Sequence, residues 1–178
     1  FCAGDASGAS SHKFSSGSHA EGRCVGKSLA QWAKGKDAPV VADATIEALR
    51  KKTFLPLETY AAHCNETTDP EINPNYIRPR QFMFRLQKIM DEYAGGVSAA
   101  FSTNAFMLDR AKELLAFLRE DSLKLGAAND YELKRAWENL HRMAQAESHV
   151  MTIDYRKETR WPGYYFRADT PKMDNENW

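Results

Sequence analysis

The residues whose types could do chemistry are concentrated at the start of the chain, within its first 18 positions. These candidate cofactor-binding residues are small, hydroxylated or titratable, and they are Gly4, Asp5, His12, Ser15, Ser16, Gly17 and Ser18. Small residues let a backbone approach a ligand closely, and glycine adopts dihedral angles that other residues avoid. A helical pattern follows from about Ser18, so free N–H groups at the helix start would point towards whatever the loop holds. The stretch therefore predicts a turn that cradles an electron-rich group.

The three residues before Gly4 are apolar, and we interpret Phe1 to Ala3 as the end of a buried strand that emerges into a loop. Ligands of open α/β sheets lie beyond the carboxyl ends of the strands, so the contact is expected at Gly4 and Asp5. The Asp5 carboxylate can accept hydrogen bonds from sugar-type hydroxyls, or it can serve as an ordinary turn or helix cap. A flexible Gly/Ser linker is the alternative interpretation of the same composition.

No residue pattern in this sequence supports a catalytic assignment. The serines between positions 15 and 18 lack the flanking glycines of a GxSxG nucleophile elbow. His141 and His149 are not spaced as in the HExxH zinc motif, which needs histidines at i and i+4. The cysteines form no CxxC pair, so no metal site is expected; they are Cys2, Cys24 and Cys64. The GxGxxG fingerprint is also missing, so the pyrophosphate site of any bound dinucleotide must lie on chain outside this sequence.

Composition narrows the class of protein further. A length of 178 residues suits one domain, or one domain with part of another, and 43% hydrophobic residues are enough for a core. Lysine plus arginine equal aspartate plus glutamate at 24 each, so no overall charge favours nucleic acid as a partner. No apolar run approaches the roughly 20 residues of a membrane span. Widely spaced cysteines suggest a reducing, cytoplasmic location, and a start at Phe1 suggests a piece of a longer protein.

The periodicity of apolar residues predicts a mainly α fold. The predicted helices are Ser18–Lys34, Ala42–Asn65, Arg80–Tyr93, Thr103–Leu125 and Asn129–Met151. Pro56 is expected to kink or divide the second helix near Leu55, and short turns predict that the last three are antiparallel neighbours in a bundle. The segment from Ile153 to Trp178 alternates aromatic and charged residues, which predicts an extended, aromatic-anchored tail. Stacking on single-stranded nucleic acid is disfavoured for this tail, because acidic residues are interleaved with its arginines.

Two segments at opposite ends of the chain resemble one protein family. RKETR at 156–160, RADTP at 167–171 and DNENW at 174–178 resemble the C-terminal signature of succinate dehydrogenase and fumarate reductase flavoproteins. Gly4 and Asp5, with His12 behind them, resemble the segment of that family that contacts FAD. Within the family, GASSHKFSSGSHAEGR at 8–23 and ETRWPGYYFRAD at 158–169 are similar to the branch of dissimilatory adenylylsulfate reductase alpha subunits.

The resemblance implies FAD as the cofactor, shared with upstream chain that also carries the catalytic residues. Asp5 would bond the ribityl chain of the flavin, Ser18 would lie near its ring, and 15–17 would shape the turn at its pyrimidine edge. It implies interconversion of adenylyl sulfate with AMP and sulfite, with iron–sulfur clusters only in a partner beta subunit. Residues 1–36 would end an α/β FAD-binding domain in a strand, loop and helix, and 37–178 would form a helical C-terminal domain with the tail. Such a fragment is not expected to be active alone.

Two alternatives remain open at this point. A succinate, fumarate or aspartate oxidoreductase of the same superfamily is the first. Dicarboxylate enzymes carry a substrate-binding arginine between the family histidine and serine, and residues 13–17 contain none, although Lys13 could compensate. The second is a stand-alone helical interaction module whose Gly/Ser start is only a linker.

Overall fold

The computed structural model describes residues 1–7, 14–66, 76–160 and 165–178. The described chain is mainly helical, as predicted. Its helices are α1 (Phe14–Ala33), α2 (Asp43–His63), α3 (Pro79–Tyr93), α4 (Ala105–Ser122) and α5 (Asp130–Arg156). A 3₁₀ turn spans Gly4–Ser7, and two short strands, β1 (Ser102–Thr103) and β2 (Phe166–Arg167), pair in parallel. The chain divides into two compact units, Phe1–Thr45 and Ile46–Trp178.

The first unit is built on α1 and has little core of its own. The 3₁₀ turn packs on α1, and the ring of Phe1 meets the ring of Trp32 edge to face at 5.7 Å between centroids. No large apolar side chain among the described residues of this unit is buried. Phe1 to Ala3 do not form the expected strand, and Phe1 is 68% exposed. A strand needs a neighbour for its backbone groups, and the described residues of this unit offer none.

Of the two expectations for Pro56, a kink or a division near Leu55, the division is wrong, because α2 runs through Pro56 as one helix. An internal proline costs about 3 kcal/mol through its missing N–H and its ring. Packing offsets this cost, because Pro56 is buried and its carbonyl accepts the N–H of Ala127 at 2.8 Å. The indole N–H of Trp137 also donates to the carbonyl of Thr53 at 3.0 Å, which fastens α2 to α5 beside the proline.

The core of the second unit lies between α3, α4 and α5, which pack against one another in all three pairs. On α3 the apolar residues at helical spacing include Phe82, Leu86 and Ile89, which are buried. From the other elements the buried apolar residues are Ile77, Ala94, Leu108, Ala111, Leu115, Leu118, Leu125, Ala136, Met143, Ala146 and Val150. The apolar period therefore locates the buried faces of α3, α4 and α5, whereas Ile46, Leu49 and Phe54 of α2 are exposed.

The helix ends follow local capping chemistry. Asn104 begins α4 by accepting the N–H of Met107 at 2.9 Å, and Asn129 begins α5 by accepting that of Glu132 at 3.0 Å. Helix α5 continues past the predicted end at Met151, until Lys157 adopts a left-handed conformation with φ of 49°. None of the helices in the described part of the chain is both long enough and apolar enough to span a membrane.

Candidate functional site

The opening turn is fastened to α1 through one carboxylate. Gly4 is buried and has a φ of +64°, in the left-handed region that favours glycine. Its N–H donates to Oε2 of Glu21 at 2.7 Å. The hydroxyl of Ser7 lies 2.8 Å from the carbonyl oxygen of Gly4 and 3.2 Å from the same Oε2. The first and last residues of the turn are therefore both tied to Glu21.

Two of the residues predicted from sequence meet at this turn. A Cβ placed on Gly4 would lie 3.0 Å from Oγ of Ser18, so the turn approaches α1 more closely than most side chains allow. Sequence reasoning identified Gly4 and Ser18 but missed Glu21. Its position three residues after Ser18, on the same face of a helix, is the signal that could have found it.

The other predicted residues that the structure describes are exposed or partly exposed. Asp5 is exposed on the turn between Gly4 and Ser7. Ser15 and Ser16 are exposed in the first turn of α1, where backbone N–H groups lack partners within the helix, and Gly17 is partly exposed. His12 lies outside the described residues.

This donor and acceptor set fits a flavin cofactor. An exposed carboxylate can accept hydrogen bonds from the hydroxyls of a ribityl chain. Serine hydroxyls and the N–H groups at a helix start can donate to the carbonyl oxygens of a flavin pyrimidine ring. Asp5 and the start of α1 are thus the groups here that could hold the cofactor. The structure does not support a metal site, because no group of three or more His, Cys, Asp or Glu in the described ranges could hold an ion.

The tail contains a second polar cluster, centred on Glu158. The side chain of Glu158 is only 2% exposed. It accepts hydrogen bonds from Nη2 of Arg160 at 2.9 Å, from Nε of Arg156 at 2.9 Å and from the N–H of Asp174 at 2.9 Å. The bonds from Arg160 and then Arg156 lower the pKa of Glu158 to about 2. Glu158 is therefore a buried anion with paired arginines, and it holds the tail together.

Arg167 ties the tail to the helical bundle. Arg167 is 1% exposed and donates to both carboxylate oxygens of Asp169, at 2.9 and 2.8 Å, and to the carbonyl of Ile153 at 2.6 Å. Asp169 also accepts the N–H of Ala105, the first residue of α4, at 3.0 Å. The pKa of Asp169 falls to about 2, mainly because of the bonds from Arg167. This pair, of which Arg167 is buried and Asp169 is exposed, thus connects β2 with the start of α4 and the last turns of α5.

The end of the tail returns to α5. The indole N–H of Trp178 donates to the carbonyl of Arg156 at 3.1 Å. Its ring meets that of Tyr155 edge to face at 5.4 Å and lies 4.7 Å from the guanidinium of Arg156. These contacts join the end of the chain to α5, and we therefore interpret the polar cluster around Glu158 as structural.

Comparison with known proteins gives consistent results for sequence and structure. No family model matches the sequence. The chain is 45% identical over 175 residues to the adenylylsulfate reductase subunit alpha of Megalodesulfovibrio gigas, a match that covers 98% of this chain and 26% of that protein. The structure matches adenylylsulfate reductase from Archaeoglobus fulgidus with a TM-score of 0.82 and 49% identity, over 93% of this chain. This chain is homologous to part of the adenylylsulfate reductase alpha subunit.

A second solved structure supports the same relationship. It is an adenosine-5-phosphosulfate reductase in complex with sulfite, described as a covalent adduct, with a TM-score of 0.82 and 49% identity. The resemblance predicted from residues at the two ends of the chain is therefore confirmed over nearly its whole length. The chain spans about a quarter of the length of these relatives, 26% in each case.

Proposed function

We propose that this chain is the C-terminal part of an adenylylsulfate reductase alpha subunit, an oxidoreductase that interconverts adenylyl sulfate with AMP and sulfite at FAD. The observation that carries the proposal is the 45% identity to such a subunit over 98% of the chain. The TM-score of 0.82 against a solved reductase supports the proposal further, because it indicates that the two chains also have the same fold.

The opening turn and α1 form one wall of the flavin site in this proposal. Asp5 accepts hydrogen bonds from the ribityl hydroxyls, and its exposed position on the turn leaves it accessible to a ligand. Ser18 stands near the flavin ring, while Ser15, Ser16 and Gly17 shape the turn at its pyrimidine edge; His12 belongs to the same segment by resemblance. The start of α1 favours negative charge at that edge, through its N–H groups and the helix dipole. FAD, when bound, supplies the two-electron redox chemistry.

The domain assignment follows the distribution of buried residues. We assign residues 1–36 to the end of the FAD-binding domain, since the first unit exposes apolar side chains such as Leu29 and Trp32. Such side chains would gain stability if further chain packed on them. We assign 37–178 to the helical C-terminal domain, whose core lies between α3, α4 and α5.

The proposed electron partner is an iron–sulfur beta subunit. An iron–sulfur cluster is usually held by four cysteine thiolates, and this chain has three cysteines without the cluster spacing. The relative is itself an alpha subunit, which implies at least one further subunit. Cys2, Cys24 and Cys64 are free thiols, which favours a reducing compartment and hence the cytoplasm.

An activity assay on the full-length enzyme tests the proposal. Sulfite and AMP together should drive reduction of an artificial electron acceptor, and omission of either should abolish the reaction. Acceptor reduction driven by succinate or aspartate instead would identify a different oxidoreductase of the superfamily. A purified protein without flavin and without either activity would favour the stand-alone helical module.

A further inference from the structure

We propose that Glu21 is a positioning residue for the flavin site, which fixes the Gly4–Ser7 turn on α1 and thereby sets the position of the Asp5 carboxylate. This inference rests on the proposed role of the turn in FAD binding. This role does not require Glu21 to touch the cofactor, because it rests on the two hydrogen bonds that Glu21 accepts from the turn.

The geometry places Asp5 between two residues that share one anchor. Oε2 of Glu21 accepts the N–H of Gly4 at 2.7 Å, directly before Asp5, and lies 3.2 Å from the hydroxyl of Ser7 behind it. The Ser7 hydroxyl also lies 2.8 Å from the carbonyl oxygen of Gly4, which closes the turn on itself. A single oxygen atom therefore holds the turn on both sides of Asp5, through the backbone N–H of Gly4 and the side-chain hydroxyl of Ser7.

A carboxylate suits this task better than a neutral acceptor. Hydrogen bonds to an ionised oxygen are shorter and stronger than neutral ones. Gly4 is buried, so loss of the Glu21 carboxylate would leave its backbone N–H without a hydrogen-bond acceptor. Gly4 also has a left-handed backbone conformation, which is kept only by contacts with its surroundings.

Glu21 and Ser18 act from the same face of α1. Ser18 lies one helical turn before Glu21, and its Oγ stands 3.0 Å from the position that a Cβ on Gly4 would occupy. The two contacts make the turn and the helix one unit. If Asp5 meets the ribityl chain and Ser18 the ring, Glu21 sets the distance between those two contacts.

Four single variants of the full-length subunit, with the double variant of Asp5→Ala and Glu21→Ala, test the inference. Glu21→Ala removes the acceptor, Glu21→Gln keeps the shape with a neutral oxygen, and Asp5→Ala removes the proposed ribityl contact. Glu47→Ala, an exposed carboxylate on α2, is the control. The apoproteins are reconstituted with FAD, and the dissociation constant is measured by flavin fluorescence quenching. The visible circular dichroism of bound flavin is recorded, since a merely structural role would leave that spectrum unchanged.

Glu21→Ala should weaken FAD binding by about tenfold or more, the factor that loss of a charged hydrogen bond typically gives, and should alter the flavin spectrum. Glu21→Gln should recover part of the affinity, and Glu47→Ala should match the wild type. In the Asp5→Ala background, Glu21→Ala should have a much smaller effect, because Glu21 acts through Asp5.

The contrary outcomes separate the inference from the proposal beneath it. If Asp5→Ala weakens FAD binding while both Glu21 variants bind as the wild type does, the positioning role is wrong and the flavin wall stands. Fully additive effects of the two substitutions would also overturn the positioning role. If neither residue affects FAD binding, the flavin wall itself is wrong, and the inference is lost with it.

Discussion

The contact between the tail and the loop after α3 predicts that Gly95→Ala severely weakens the pairing of β1 with β2. Gly95 has a φ of +82°. A Cβ at this position would lie 2.5 Å from Cε2 and 3.1 Å from Cδ2 of Tyr165 in the tail. The Tyr165 ring also contacts the ring of His149 edge to face, with 6.2 Å between the ring centroids. The substitution therefore adds backbone strain and also displaces an aromatic ring that precedes β2.

The expected cost has two parts. A left-handed conformation costs an alanine about 1–2 kcal/mol, and overpacking a contact typically costs about 1–3 kcal/mol. Together they should lower the free energy of local opening of the sheet by about 2–5 kcal/mol. In this sheet the N–H of Phe166 donates to the carbonyl of Phe101 and the N–H of Ala168 donates to that of Thr103, both at 2.9 Å.

Hydrogen exchange of the Phe166 and Ala168 amides measures this opening directly. Exchange in Gly95→Ala should be at least about 30-fold faster than in the wild type, the factor that corresponds to about 2 kcal/mol. Gly22→Ala on α1, where no heavy atom lies within 4 Å of the added Cβ, is the control and should leave these amides unchanged. Replacing Tyr165 by alanine in both backgrounds should remove the overpacking part. Unchanged exchange in Gly95→Ala would refute the reasoning.

Three further predictions follow from other contacts. Asn104→Ala removes the cap of α4 and should lower the free energy of unfolding by about 1 kcal/mol in urea; no change would mean that the observed cap bond contributes nothing. The pKa of Asp169 is lowered from 3.8 to about 2 by Arg167, so this pair stabilises the fold above pH 4 and loses that contribution as pH falls towards 2. Asp169→Asn should therefore be less stable than the wild type at neutral pH, and the gap should close on acidification; a constant gap would contradict this. Gly4→Ala should weaken FAD retention about 5- to 30-fold, from about 1–2 kcal/mol of backbone strain and the contact with Ser18; full retention would mean that the turn tolerates a Cβ.

The helices of the second unit could be predicted because their signals are local. Stripes of apolar residues at helical spacing identify the buried face of α3, with Phe82, Leu86 and Ile89. Asparagine before the first turn identifies the starts of α4 and α5. The end of α5 was less predictable, because nothing in the local pattern marks Lys157 as the residue that turns left-handed.

The parts that depend on distant partners could not be predicted. Pro56 indicates a break in α2, but its packing and its bond to Ala127 exist only in the folded chain. The alternation in the tail predicts aromatic anchoring, but it does not show that Glu158 and Arg167 are buried, because their partners come from elsewhere in the segment and from α5. At the candidate site, residue types and family resemblance identified Gly4 and Ser18, but the anchor at Glu21 depends on the turn folding back onto α1.

The most direct test of the flavin wall is the FAD content of Asp5→Ala in the full-length subunit. Flavin absorbance per protein is measured after gel filtration, beside the wild type and Asp37→Ala, an exposed carboxylate in the same unit. The proposed ribityl contact predicts that Asp5→Ala loses flavin during filtration while Asp37→Ala keeps it. Equal flavin content in Asp5→Ala and the wild type would contradict the assignment of this turn to the cofactor.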